Sequence, residues 1–141
     1  MGSNKHGQLG LGFAPDLLPC VKLPTLVSDL KVQSVACGRS HSLALDTNGR
    51  VHGWGQADYG AIGVRISSSD EPSVIQFSSK YADVRVKAVS CGAYHSCFLS
   101  TKGEVFSCGR GDKGQLGIGF ISPKEYRPIV VRLRNYDEKI R

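Results

Sequence analysis

Two histidines at matched places, His41 and His95, are the residues of this 141-residue chain whose type most invites a chemical role. A histidine working as general base or metal ligand needs a carboxylate or thiolate within reach, and no spacing around either one supplies it. His41, Ser42 and Asp46 offer the residue types of base, nucleophile and acid. Neighbours on a strand point to opposite faces, so His41 and Ser42 do not converge and no triad follows. Both histidines are assigned to structure, each ring hydrogen-bonded to the turn made by Gly38 or Gly92. Gly109-Arg-Gly-Asp-Lys-Gly114 looks like a phosphate-cradling loop. Such a loop needs Gly-x-x-x-x-Gly-Lys-Ser/Thr opening a helix; here Gln115 follows Gly114, and the loop recurs without lysine at Gly55–Gly60. These glycines, with Gly38, Gly92, Gly49 and Gly103, are assigned to turns of positive φ. The five cysteines (Cys20, Cys37, Cys91, Cys97, Cys108) form no C-x-x-C pair. They read as small buried hydrophobes in a reducing, intracellular setting, cytoplasmic or nuclear. No catalytic constellation is present, and neither a metal nor another cofactor is expected.

What must position these residues is a repeat. Gly-Gln-Leu-Gly at Gly7–Gly10 returns as Gly-Ala-Ile-Gly at Gly60–Gly63 and as Gly-Gln-Leu-Gly at Gly114–Gly117. The stretch Val35–Gly55 aligns without a gap on Val89–Gly109, with ten of 21 positions identical. Self-similarity at fixed period marks an array of one supersecondary unit. Each period reads as short strands bounded by turn residues: Val32–Cys37, His41–Leu45, Arg50–Trp54 and Pro72–Gln76, then Val86–Cys91, His95–Leu99, Glu104–Cys108 and Pro128–Arg132. Asp46-Thr-Asn-Gly49 and Ser100-Thr-Lys-Gly103 are the hairpin turns. Pro19–Leu23 reads as an earlier copy of the fourth strand. Four antiparallel strands per period make the blade of a β-propeller. The fold expected is all-β, an incomplete propeller of four-stranded antiparallel blades. Residues 1–30 end a truncated first repeat, 31–84 and 85–138 are complete repeats, and 139–141 form a tail.

The phrases V-x-x-V-x-C-G-x-x-H-S-x-x-L-x-x-x-G-x-V, W-G and G-x-L-G resemble the regulator of chromosome condensation repeat over nearly the whole chain. The resemblance implies a seven-bladed propeller, against which two and a half repeats leave open edges. Open edges call for self-association or for further blades, and the expectation is a fragment of a longer protein. The resemblance also implies a protein partner, possible exchange-factor activity toward a small GTPase without bond chemistry, and a loop face on which the two histidines could meet a partner.

Positions that vary between copies carry whatever specificity an array has. Arg39-Ser40 becomes Ala93-Tyr94, Gln56-Ala57 becomes Arg110-Gly111, and Tyr59 becomes Lys113. The candidate partner-binding residues are Arg39, Ser40, His41, Asp58, Tyr59, Tyr94, His95, Arg110, Asp112 and Lys113, with Arg65 beside them. Tyrosine and arginine are the types enriched at binding hot spots, whereas Asp58 and Asp112 also suit turns. The net charge is +6, half of it after Ile121. That basic segment offers the alternative function, contact with chromatin or nucleic acid, although alternating charge also suits a protected strand edge. No apolar run approaches the ~20 residues of a membrane span, so no membrane partner is expected.

Overall fold

The computed structural model describes residues 1–12, the backbone of Cys20 and Val21, and residues 29–132. The described residues are all-β. A two-stranded piece pairs β1 (Gly2–Ser3) with β2 (Cys20–Val21). Two four-stranded antiparallel sheets follow, with strands in chain order. The first blade holds β3 (Val32–Cys37), β4 (His41–Asp46), β5 (Val51–Gln56) and β6 (Ser68–Val74); the second holds β7 (Val86–Cys91), β8 (His95–Ser100), β9 (Val105–Gly111) and β10 (Ser122–Val130). The chain is thus a partial array of propeller blades.

The first three strands of each blade lie where their apolar pattern puts them. The fourth do not: β6 and β10 begin four and six residues before the expected Pro72 and Pro128, and both end two residues early. They are sheet edges, rich in Ser, Asp, Glu, Lys and Pro, and are held by the backbone ladder with irregular register. Edge strands tolerate proline and need no apolar alternation. Pro19–Leu23 is described only at Cys20 and Val21, and residues 133–141 of the basic tail lie outside the described residues.

Each hairpin turn is held by one side chain. Asp46 Oδ1 accepts from the amides of Asn48 (2.8 Å) and Arg50 (3.0 Å). Ser100 Oγ does the same for Lys102 (3.2 Å) and Glu104 (3.0 Å). Below the turns one core joins both blades: Leu43, Leu45, Val51 and Ile75 from the first, Val86, Phe98, Phe106 and Cys108 from the second. The connecting segment adds Phe77 and Tyr81, whose rings meet Phe106 edge to face at 5.0 and 4.9 Å.

A repeated clasp fixes one blade on the next. The second residue of the first two Gly-x-Leu/Ile-Gly phrases offers its backbone carbonyl to the following sheet. Gln8 O accepts from Ser42 Oγ (2.9 Å) and Trp54 Nε1 (2.8 Å). Ala61 O accepts from the equivalent Ser96 Oγ (2.6 Å) and, more weakly, Cys108 Sγ (3.8 Å). The recurring serine of the His-Ser pair and the Trp/Cys position therefore serve the junction between blades.

Candidate functional site

The same junction decides the role of His41. Its ring is 2% exposed, and Nε2 lies 3.0 Å from Ser96 Oγ in the next blade. A serine hydroxyl has one proton to give, and Ser96 spends it on the Ala61 carbonyl, so His41 Nε2–H donates to Ser96 Oγ. The expected bond from the ring to the Gly38 turn is therefore replaced by one across the junction. Gly38 has a different duty from the one expected. Neither it nor Gly92 has positive φ; a side-chain carbon on either would fall on the ring of His41 or His95. Glycine stands in the Cys-Gly-x-x-His phrase because the imidazole occupies the space of a side chain.

Burial, and secondarily the nearby His95, pushes the His41 pKa down to about 4. The unfolded chain binds this proton near the ordinary 6.5 and the folded one does not, so the unfolded state holds more protons between those values. Stability is then lost as pH falls from about 6.5 to about 4, at up to about 1.4 kcal/mol per pH unit. Burial lowers His95 too, which adds with the same sign. Urea midpoints measured from pH 7 to pH 4.5 are expected to fall steadily, and His41→Gln should flatten the curve; an unchanged slope would remove His41 as the cause.

His52 and Asp46 form a second buried pair, Nε2 to Oδ2 at 3.0 Å. Burial raises the Asp46 carboxyl, but bonds from the His52 ring and the Arg50 and Asn48 amides outweigh it and hold the carboxyl below its usual value. The second blade places Phe106 and Ser100 at these positions. The pair is a local alternative to an aromatic core residue and no more.

Above the junction the variable positions come together. The strand-connecting loops of both blades open on one face, and the turn Asp58–Gly60 holds Tyr59 at φ 61°, the one non-glycine with positive φ among the described residues. Tyr59 and Tyr94 pack edge to face at 5.8 Å. The Arg110 guanidinium lies over both rings, at 5.3 and 5.9 Å, and Arg39 lies over Tyr94 at 5.8 Å. Asp112 holds Arg110 in place through two bonds, to Nε (2.9 Å) and Nη2 (2.7 Å). That pairing holds the Asp112 carboxyl low and the arginine charged. Five of the ten candidates, Arg39, Tyr59, Tyr94, Arg110 and Asp112, thus form one contiguous cluster.

The others divide. Asp58 is exposed beside Tyr59 and accepts from Gln56 Nε2. Lys113 is exposed, and its amide is tied to Gln115 Oε1. Ser40 is half-buried, its carbonyl taken by the Gln56 amide. His95 is half-buried against Gly92, and His41 is buried in the junction, away from any partner. Among the described cysteines only Cys108 is fully buried, with its thiol pushed far up by burial. Cys91 and Cys97 are half-buried and Cys37 is exposed, because β3 is the edge of its sheet. Among the described residues no group of three or more His, Cys, Asp or Glu could hold a metal ion, and no helix is long and apolar enough to cross a membrane.

Next to the cluster a cleft of about 790 Å³ runs between the first blade's loop and the second blade's outer strand, lined by Ala57, Asp58, Tyr59, Arg65, Ile66, Ser67, Lys124 and Tyr126. Arg65 and Lys124 each lie 5.3 Å from the Tyr126 ring centre. Lys124 and Tyr126 escape a reading of the sequence because β10 looks there like an ordinary charged edge.

Two family models match the chain, both described as the regulator of chromosome condensation (RCC1) repeat. One covers residues 1–45, 48–99 and 102–135, the other 32–61 and 86–115. Among curated proteins, the probable E3 ubiquitin-protein ligase HERC6 of Homo sapiens is 39% identical over 93% of this chain and 13% of its own length. The ultraviolet-B receptor UVR8 of Arabidopsis thaliana is 36% identical over 94% of this chain and 29% of its own length. The human RCC1-like G exchanging factor-like protein is 37% identical over 84% and 28%. The chain therefore spans well under a third of each. Among solved structures, human WBSCR16 superposes with a TM-score of 0.80 at 25% identity, over 96% of this chain and 34% of that one. Prp20p of Saccharomyces cerevisiae, described with its binding to Gsp1p and histones, superposes at 0.78 and 20% identity, over 96% and 34%.

Proposed function

Because the chain belongs to the regulator of chromosome condensation repeat family, we propose that it is part of a protein-interaction scaffold whose loop face holds a protein partner. One observation carries this reading. The residues shared between blades are spent mostly on turns, core and junction, while four that differ, Arg39, Tyr59, Tyr94 and Arg110, meet in one cluster, in which Asp112, the counterpart of Asp58, holds Arg110. Packed aromatic rings under guanidinium groups, one of them held by Asp112, are the chemistry of a binding hot spot. A photo-crosslinking residue at Tyr94 is the test. It should capture a discrete protein partner, lost with Arg110→Glu. Equal capture from a crosslinker at Lys102, in the opposite hairpin turn, would contradict the reading.

A narrower version makes the partner a small GTPase. It is supported by the relative named as a G exchanging factor-like protein and by the Prp20p structure described with Gsp1p. Exchange needs no bond-making residue, only tighter binding of the nucleotide-free GTPase than of the loaded one. Accelerated release of labelled GDP at micromolar protein would establish this version, and no acceleration across a GTPase panel would leave the plain scaffold.

A further inference from the structure

We propose that the cleft between the blades binds an extended acidic peptide, its carboxylates paired with Arg65 and Lys124 and its chain lying along Tyr59 and Tyr126. This rests on the scaffold reading and names the partner's chemistry. Four cations edge this part of the face: Arg39 and Arg110 over the Tyr59–Tyr94 pair, and Arg65 and Lys124 over Tyr126. Only Arg110 has a carboxylate partner within ion-pair distance among the described residues. Arg65 and Lys124 are exposed and carry their charge on an aromatic ring alone, so an incoming carboxylate breaks no existing pair. The cleft is open along its length, and its walls are a backbone turn and an edge strand. An extended segment fits that shape better than a compact ligand does.

The rim selects a peptide over a nucleic acid. Asp58 stands in the cleft wall and Asp112 beside it. A phosphodiester chain carries a charge at every residue and would set some of them against these carboxylates. A peptide can place carboxylates opposite Arg65 and Lys124 and neutral residues opposite Asp58. The turn at Gly60 packs directly on the β10 backbone, where a side-chain carbon would lie 2.5 Å from Glu125 O.

The probe is a fluorescein-labelled peptide of alternating glutamate and glycine, followed by fluorescence anisotropy on the folded protein. Saturable binding that weakens with salt is expected, with glutamine in place of glutamate abolishing it. Arg65→Glu and Lys124→Glu should each weaken binding by about tenfold or more, while Arg65→Lys keeps most of it. Thermal midpoints of the variants should match the parent, since both side chains are exposed. No binding of the glutamate peptide, equal binding of the glutamine peptide, or tighter binding of a single-stranded oligonucleotide of equal charge would overturn the proposal. So would concentration-dependent dimerisation lost with Arg65→Glu, because a second copy would then fill the cleft. A Tyr94 crosslink that persists while the peptide fails would remove this proposal and leave the scaffold.

Discussion

Phe106→Ala is expected to lower the unfolding free energy by about 3–5 kcal/mol, the usual cost of emptying a fully buried phenylalanine site. Phe106 has no exposed surface. It stands where the connecting segment between the blades closes over the second sheet. The rings of Phe77 and Tyr81 meet it edge to face, and Phe77 also meets Phe98 at 5.6 Å. A cavity there cannot be filled from within one sheet, because its walls come from two strands and a connecting segment. Phe106→Leu, which keeps most of the volume, should cost about 1–1.5 kcal/mol. Phe106→His is a poor substitute although the first blade has His52 at this position. There the imidazole is answered by Asp46, whereas the second blade offers Ser100. Urea denaturation of the three variants checks the ranking.

Ser96→Ala is the second large effect, about 2–4 kcal/mol. The hydroxyl donates to Ala61 O and accepts from His41 Nε2 in a site closed to water. Its removal leaves a carbonyl with only the weak Cys108 thiol and a buried ring N–H with no acceptor, and each orphaned group costs about 1–3 kcal/mol. Ser96→Thr keeps the hydroxyl and suits a strand, so it should recover much of the loss. Since His41 sits on the first blade and Ser96 on the second, the damage falls on the junction between them. Hydrogen exchange should then rise first at β8 and at the Gly60–Gly63 turn.

How much of this was legible before the structure depends on where each residue's partner lies. The inner strands and hairpin turns were readable because their signals are local: apolar alternation, Asn-Gly, and an Asp or Ser capping its own turn. The fourth strands were misplaced because β6 and β10, unlike the apolar edge strands β3 and β7, are polar, contain proline and are held by backbone bonds that leave no mark on side-chain type. The identity of Gly38 with Gly92 and of His41 with His95 was plain, but its reason was not. Each ring fills its glycine's empty side-chain volume, and the His41 N–H reaches a serine 55 positions away. Repetition shows that a residue serves the repeat without showing what it touches. The cluster face was found from the opposite signal, change between copies at Arg39, Tyr59, Tyr94 and Arg110. Lys124 and Tyr126 differ in kind, since they sit on a strand whose partner across the cleft is a loop of the preceding blade.

In the proposed scaffold, residues shared between copies hold the blades and the variable ones are left free for a partner. One thermal unfolding comparison tests that division directly, with Ser96→Ala and Arg110→Gln set beside the parent protein. For a domain of this size each kcal/mol moves the midpoint by about 3–5 °C. Ser96→Ala should fall by several degrees and Arg110→Gln should stay with the parent, since its ion pair with Asp112 is open to solvent. A large fall with Arg110→Gln, or none with Ser96→Ala, would contradict it.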